Sequence, residues 1–244
     1  MTLLTICQNI ADVTPVDKPT LIIGSTDGTA RLLLSCAQNA GKYLARRKGK
    51  QHWLELVNEY TFSTVASQED YDLPSDFYDL EDQTLWDRTN YWEIRGALSP
   101  QDWQAYKSSV LGDTATVRKR FRIRNVSGTT KFSIHPTPSA VESLVFEYVS
   151  KNWCESSGGT GQDSWQADSD VGIIDEYLIE LEARWRFLSR LGMAYAEEKN
   201  EAEREISAAL ARNGGTKILS ITGRTEGRLV DAGNIPDTGF GNAS

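Results

Sequence analysis

"YDLPSDFYDL", residues 71–80, sets three aspartates among aromatic side chains, with Asp70 just before and Glu81 and Asp82 just after. As a metal site or a glycosidase-like carboxylate pair it would make the chain an enzyme; as a bend it would make it a β scaffold. Successive side chains of a strand alternate, so Tyr71 and Leu73 share one face and Asp70 and Asp72 the other. Pro74 fixes φ and ends the ladder, and Ser75 and Asp76 are turn and cap formers. A bend accounts for every residue, whereas a catalytic pair leaves the proline without a role. Tyr71, Leu73, Pro74, Asp76 and Phe77 are therefore expected to be structural turn and core positions.

The surrounding region has β texture. "EYTFSTVA" and "RFRIRNVSGTTKFSIHP" alternate, "SLVFEYVS" reads as a more buried strand, and "VSGTT" is a hairpin signal in which Gly128 supplies a positive φ. A short helix interrupts it at "SPQDWQAYKSS", with Ser99 as cap, Pro100 first in the helix and Asp102 in the first turn. Helical texture flanks the β region on both sides. Upstream, Ala30, Leu33, Leu34, Ala37 and Leu44 share one face, Ser25, Thr26 and Asp27 offer cap oxygens, and Arg46, Arg47 and Lys48 suit the far end of the dipole. Downstream, Ile174, Tyr177, Leu178, Leu181, Trp185 and Leu188 form a stripe up to a joint at Gly192. A second helix follows, with Tyr195, Ala202, Ile206, Ala209 and Leu210 on its apolar side, closed by "NGG". The remaining tail has glycines among isolated apolar residues and no period.

The expected fold is α+β. N- and C-terminal helices (1–57 and 166–213) form a bundle, 58–165 is a β-rich insertion, and 214–244 is an extended arm that orders on a partner. Ile218, Leu219, Ile221, Leu229, Ile235 and Phe240 are the arm's docking anchors.

Composition excludes several functions. The formal net charge of -8 on 244 residues makes the whole chain a poor polyanion binder. No apolar run approaches the roughly 18 residues a membrane helix needs, and "MTLLTICQNI" lacks the basic start of a secretory signal. Three distant cysteines argue against a disulfide framework or a zinc site and fit a reducing compartment. "GSTDGT" lacks the lysine and the glycine spacing of a phosphate loop. His52 and His135 have no neighbouring ligand or triad partner, and no serine sits in a nucleophile elbow. "DSD" at 168–170 precedes a helix, where Ser169 or Asp170 is expected to cap and Asp175 and Glu176 to favour the dipole. No metal, cofactor or catalytic residue is expected. In "RKRFRIR", Arg118, Arg120, Arg122 and Arg124 share a face and are candidates for a tail or subunit interface; the acidic balance favours a solvated face or an acidic surface of another subunit over nucleic acid. Seven tryptophans beside many acids leave a carbohydrate-binding or carbohydrate-active protein as one alternative, with Trp86, Trp103, Trp153 and Trp185 expected instead in cores or interfaces. A nucleic-acid-binding virion protein is the other.

"YDLPSDF", "TLWDRTNYWEIRGALSPQDWQ", "FRIRNVSGTTKFSIHPTPSAVESLVFEYVSKNW" and "ADSDVGIIDEYLIELEARWRFLSRLGMAYAEE", preceded by "IIGSTDGTARLLLSCAQNAGKYLARR", resemble in that order the head-to-tail adaptor proteins of short-tailed bacteriophages, the tail tubular protein A type. The likeness runs from about Pro19 to Gly215. It implies a structural virion protein of the neck, assembled in the host cytoplasm as a dodecameric ring between the portal protein and the tail nozzle protein. The DNA would pass through the lumen without specific binding. The arm would insert along the portal, the β-rich insertion would face the tail, and Trp185 and Tyr195 would be core or ring-contact positions.

Overall fold

The computed structural model describes residues 1–48, 52–108 and 119–213. The six arm anchors and Arg118 lie outside the described residues. The fold is α+β, with helices from both ends of the sequence packed together and a β-rich region between them.

Helix α1 (Leu3–Asp12) opens the chain, with Thr2 as its cap: the Thr2 hydroxyl accepts from Thr5 N at 3.3 Å. Leu3, Ile6, Cys7, Ile10 and Ala11 are buried along one stripe, a helical pattern not read from the sequence above. In α2 (Gly28–Arg46), Asp27 is the residue that caps, accepting from Ala30 N at 2.9 Å. Ala30, Leu33, Ala37 and Leu44 are buried as the spacing predicts, while Leu34 is half-buried against the same core.

The strands follow. β1 (Val57–Ser63), β2 (Asp70–Asp72), β3 (Phe77–Leu80), β4 (Trp86–Asp87) and β5 (Trp92–Glu93) precede α3 (Pro100–Ser108), and β6 (Arg120–Val126), β7 (Thr129–His135) and β8 (Ser143–Ser150) come after it. β8 organises the larger sheet, whose order is β1-β8-β4-β5 with β3 also paired to β8. β2, β7 and β6 make a second sheet. The β6–β7 hairpin turns at Ser127 (φ 51°) and Gly128 (φ 87°). Two positive φ values in succession match the twist of the strands. Short strands β9 (Cys154–Glu155), β10 (Gly161–Gln162) and β11 (Val171–Gly172) then lead back to the helices.

Helix α4 (Glu176–Leu191) packs on α1, α2 and α5 (Ala196–Arg212). It is buried on more than one face: Leu178, Ile179, Leu181, Ala183, Phe187 and Leu188 are all covered. Gly192 ends it in the left-handed region at φ 72°, its N–H donating to the Leu188 and Ser189 carbonyls, the glycine stop expected at a helix joint.

Residues 1–213 form one compact unit with two hydrophobic cores. The helical core includes Leu3, Ile6, Leu33, Leu44, Leu178 and Phe187, and also takes in Val149, Trp153 and Trp165. The β core holds Tyr71, Phe121, Phe132, Leu144, Phe146 and Tyr148. β8 therefore supplies Tyr148 to one core and Val149 to the other. Three residues past its end, Trp153 is 1% exposed and lies flat against Gly41, where a Cβ would fall 2.0 Å from the indole Cζ3. Trp153 Nε1 donates to the Asp163 carbonyl at 2.9 Å, and Trp165 meets its ring edge-on at 5.0 Å between centroids.

Replacing Gly41 with leucine should lower unfolding free energy by about 2 kcal/mol or more, because overpacking against the indole outweighs the better helix propensity. Urea denaturation measures this, and wild-type stability in Gly41→Leu would show that the indole does not need the missing side chain.

Candidate functional site

The acids of the opening stretch are occupied by the fold itself. Tyr71 and Leu73 point into the β core, and Phe77 packs on Tyr148 with centroids 5.9 Å apart. Pro74 closes the bend, its carbonyl accepting from Phe77 N at 3.0 Å. Asp76 does more than form a turn. Its carboxylate accepts from the Tyr148 hydroxyl (3.0 Å) and the Ser150 hydroxyl (2.7 Å), clamping the bend onto the end of β8. Burial, reinforced by that carboxylate, pushes the Tyr148 hydroxyl up to about 12. On the outer face Asp72 pairs with Lys131 at 2.9 Å. Asp79 stands 3.7 Å from the Nε2 of His52. Burial and Lys48 keep that imidazole's pKa low, against the pull of Glu81, Asp79 and Asp82.

The arginine strand has the predicted alternation: Phe121 is buried and Ile123 packs on the β core, with Arg120, Arg122 and Arg124 on the other face. Arg124 is held within the chain. Its Nη2 donates to Asp70 (3.0 Å) and Glu69 (3.1 Å), and its Nε to the Ser133 hydroxyl (2.7 Å). Glu69 also binds Lys107 of α3 at 2.7 Å. Burial alone would raise the Asp70 carboxyl, but the Ser133 and Arg124 hydrogen bonds outweigh it and hold it below its ordinary value. Arg120 and Arg122 make no ion pair among the described residues.

The "DSD" carboxylates fasten loops. Asp168 accepts from Ile22 N (3.0 Å) and Ile23 N (2.7 Å), pinning the segment ahead of α2, while its carbonyl accepts from Leu4 N of α1. Asp170, 1% exposed, accepts from Gln166 N (2.7 Å) and Ala167 N (2.8 Å). The expectation that Ser169 or Asp170 caps the next helix is corrected: Asp175 is the cap, accepting from Tyr177 N at 2.9 Å. The intervening β11 makes Asp170 too early to reach the helix. Among the described residues no group of three or more His, Cys, Asp or Glu is arranged to hold a metal ion. No described helix is long and apolar enough to cross a membrane.

Glu182 of α4 is fully buried; it accepts from Arg186 Nε (2.9 Å) and Trp185 Nε1 (2.9 Å). Trp185 packs against the helical core and carries Arg186 and Lys199 on its ring, with the half-exposed Tyr195 6.1 Å away. Trp103 and Trp153 are buried. Trp86, expected in a core or interface, is 46% exposed beside Tyr91 and Trp92, outside both cores. Its neighbour Asp87 takes the inward place, accepting from Thr89 N, Asn90 N and Asn90 Nδ2 to build the hairpin turn, so alternation sends the indole outward. Sequence reasoning passed over Asp87, Asp168 and Glu182. An Asp two or three residues ahead of Thr-Asn signals the first; the other two have only tertiary partners.

Among the described residues, acids and cations brace the chain's own loops, and Trp86, Tyr91 and Trp92 stand exposed. The SU10 adaptor protein family model matches residues 1–228, most of the 244-residue chain, and the chain belongs to that family. It is thus a bacteriophage adaptor, a structural protein of the virion neck that contacts portal and tail proteins. No curated protein matches the sequence.

Asp168→Ala, which strands two backbone N–H groups, should cost about 1–3 kcal/mol, while chelator or added magnesium leaves the wild-type melting temperature unchanged; a metal-dependent shift would restore the ligand reading. A double-mutant cycle of Arg124→Met and Asp70→Asn should show coupling of about 1 kcal/mol. That coupling should fade as pH falls below the ordinary aspartate value near 4 and through the lower folded-state value, because the depressed carboxyl loses its charge there. A coupling that stays constant with pH would contradict the pair.

Proposed function

We propose that this adaptor forms a closed homo-oligomeric ring, a dodecamer, beneath the portal, joins it to the tail nozzle protein and extends the DNA channel for genome retention and ejection. The observation that carries the reading is the family match, which continues past α5, the last helix among the described residues, to residue 228. The matched stretch therefore includes Ile218, Leu219 and Ile221 of the proposed portal-docking arm. The helices at 1–57 and 166–213 make the ring. Leu191, Met193 and Tyr195 at the α4–α5 joint are each 39% exposed, apolar surface that a neighbouring copy can cover. The β-rich part, 58–165, faces the tail. Trp86, Tyr91 and Trp92 exposed on the β4–β5 hairpin suit a protein contact there, since aromatic residues are enriched in such interfaces. The DNA passes without specific binding, because a subunit of net charge -8 supplies few cations to displace counterions from phosphate. Assembly takes place in the host cytoplasm.

Electron microscopy of the full chain mixed with portal rings should show closed adaptor rings seated on the portal. Removing residues 216–244 should leave the helical circular dichroism intact and abolish stable attachment. Scattered subunits in place of a ring, or truncated chains attached at wild-type occupancy, would overturn the respective part of the proposal.

A further inference from the structure

A ring built from one kind of chain needs two faces that fit each other, and the charges of α2 and α5 mark a pair. α2 has no carboxylate anywhere in residues 28–46, although the chain as a whole carries net charge -8. Arg31, Ser35, Asn39, Lys42 and Arg46 recur every three or four residues and are all exposed, so they form one ridge along the helix. Beside it α4 presents Trp185, Arg186 and Arg190, and between the two helices lies a cavity of about 250 Å³ floored by Ser35, Cys36 and Asn39. Among the described residues Arg31, Lys42, Arg46 and Arg190 make no ion pair. Burial raises the pKa of the Cys36 thiol, and the charges of Arg190 and Arg186 work against that rise, so both guanidinium groups are felt inside the cavity.

α5 is the complement. It buries only Ala202 and Ile206. Along one flank Glu197, Glu201 and Glu205 follow at intervals of four, Glu197 and Glu205 exposed and Glu201 half-buried, with Glu198 next to the row. None of these four glutamates pairs with a cation among the described residues. Like charges one turn apart repel and destabilise a helix; Arg204, within the same stretch, offsets only part of that charge. A cationic surface laid along the row relieves the repulsion.

We propose that the groove between α2 and α4 of one copy receives the glutamate row of α5 from the next copy, head to tail around the ring. This rests on the ring reading given above and names the surfaces that close it. Arg31, Arg190 and Lys42 meet the row, and the small side chains of Ser35 and Asn39 leave room for a carboxylate to enter between the helices. Each copy carries groove and row on separate elements, so the contact is heterologous and is completed for every copy only when the ring closes.

The test uses two full-length variants mixed with portal rings: Arg31→Glu with Arg190→Glu, and Glu197→Lys with Glu201→Lys. All four positions are solvent-facing or nearly so, and each variant should keep wild-type helicity and melting behaviour. Alone, each puts like charges in every contact, and ring occupancy on the portal should fall at least tenfold. Mixed one to one, every contact again joins opposite charges, so occupancy should return to the wild-type level in rings that alternate the two variants, which an even-numbered ring allows. Native mass spectrometry reads both occupancy and composition. Either variant assembling alone like wild type, or a mixture that fails to restore rings, would overturn the pairing while closed wild-type rings kept the ring reading intact. Absence of closed rings in the wild type would remove both.

Discussion

The two cores of this molecule meet at β8, and the contact of Trp153 with Gly41 keeps them together. Within two residues the strand passes from the β core at Tyr148 to the helical core at Val149. The chain then places an indole in the only kind of space that can take it, the bare backbone face of a helix. Van der Waals contact there is collectively large and unforgiving in shape. The helices that carry the proposed ring contacts and the sheets that carry the proposed tail contacts are thus registered against each other by β8 with Trp153 just beyond it, and by Trp53, Leu56 and Val57 leading into β1, which pack on the same helical core.

Polar groups follow the same economy. Asp76, Asp87, Asp168 and Asp170 each accept two or more hydrogen bonds from nearby chain. Asp87, Asp168 and Asp170 replace water at loop backbone that regular ladders do not reach, and Asp76 takes side-chain hydroxyls of β8. Glu182 is the costliest: a fully buried carboxylate whose partner Arg186 stacks on Trp185 and Tyr43. Removing the arginine alone would strand that charge, at a cost of about 3–5 kcal/mol. Carboxylates committed in this way hold loops and strands in place, which is how an acid-rich sequence builds a scaffold.

Local pattern made much of this visible in advance. The stripe of α2, the proline-started α3, the glycine stop of α4 and the β6–β7 turn all follow from periodicity and from backbone preferences that act within a few residues. Tyr71, Leu73 and Phe77 lie in the β core for the alternation reason alone. What stayed hidden depends on partners distant in sequence. Asp76 looks like a turn former until Tyr148 and Ser150 arrive, 72 and 74 residues later. Asp168 looks like one more acid ahead of a helix until Ile22 and Ile23 are beside it. Trp86 reads as core or interface until Asp87 takes the inward face and leaves it outside the cores. α1 is the exception: its apolar spacing and its threonine cap were legible, but the segment was weighed only against a secretory signal and set aside. The basic ridge of α2 was legible too, in a helix without one acid.

An adaptor between two assemblies gains from a body whose two ends cannot drift apart, and a shared strand supplies that rigidity without a large interface. Native-state hydrogen exchange of the full chain carrying Trp153→Ala tests it most directly. The account predicts that amides of α2 and α4 and those of β1 and β8 lose protection together, by a similar amount of about 3–5 kcal/mol. Loss confined to the helices, with β1 and β8 as protected as in wild type, would show that the two cores stand independently and would contradict it.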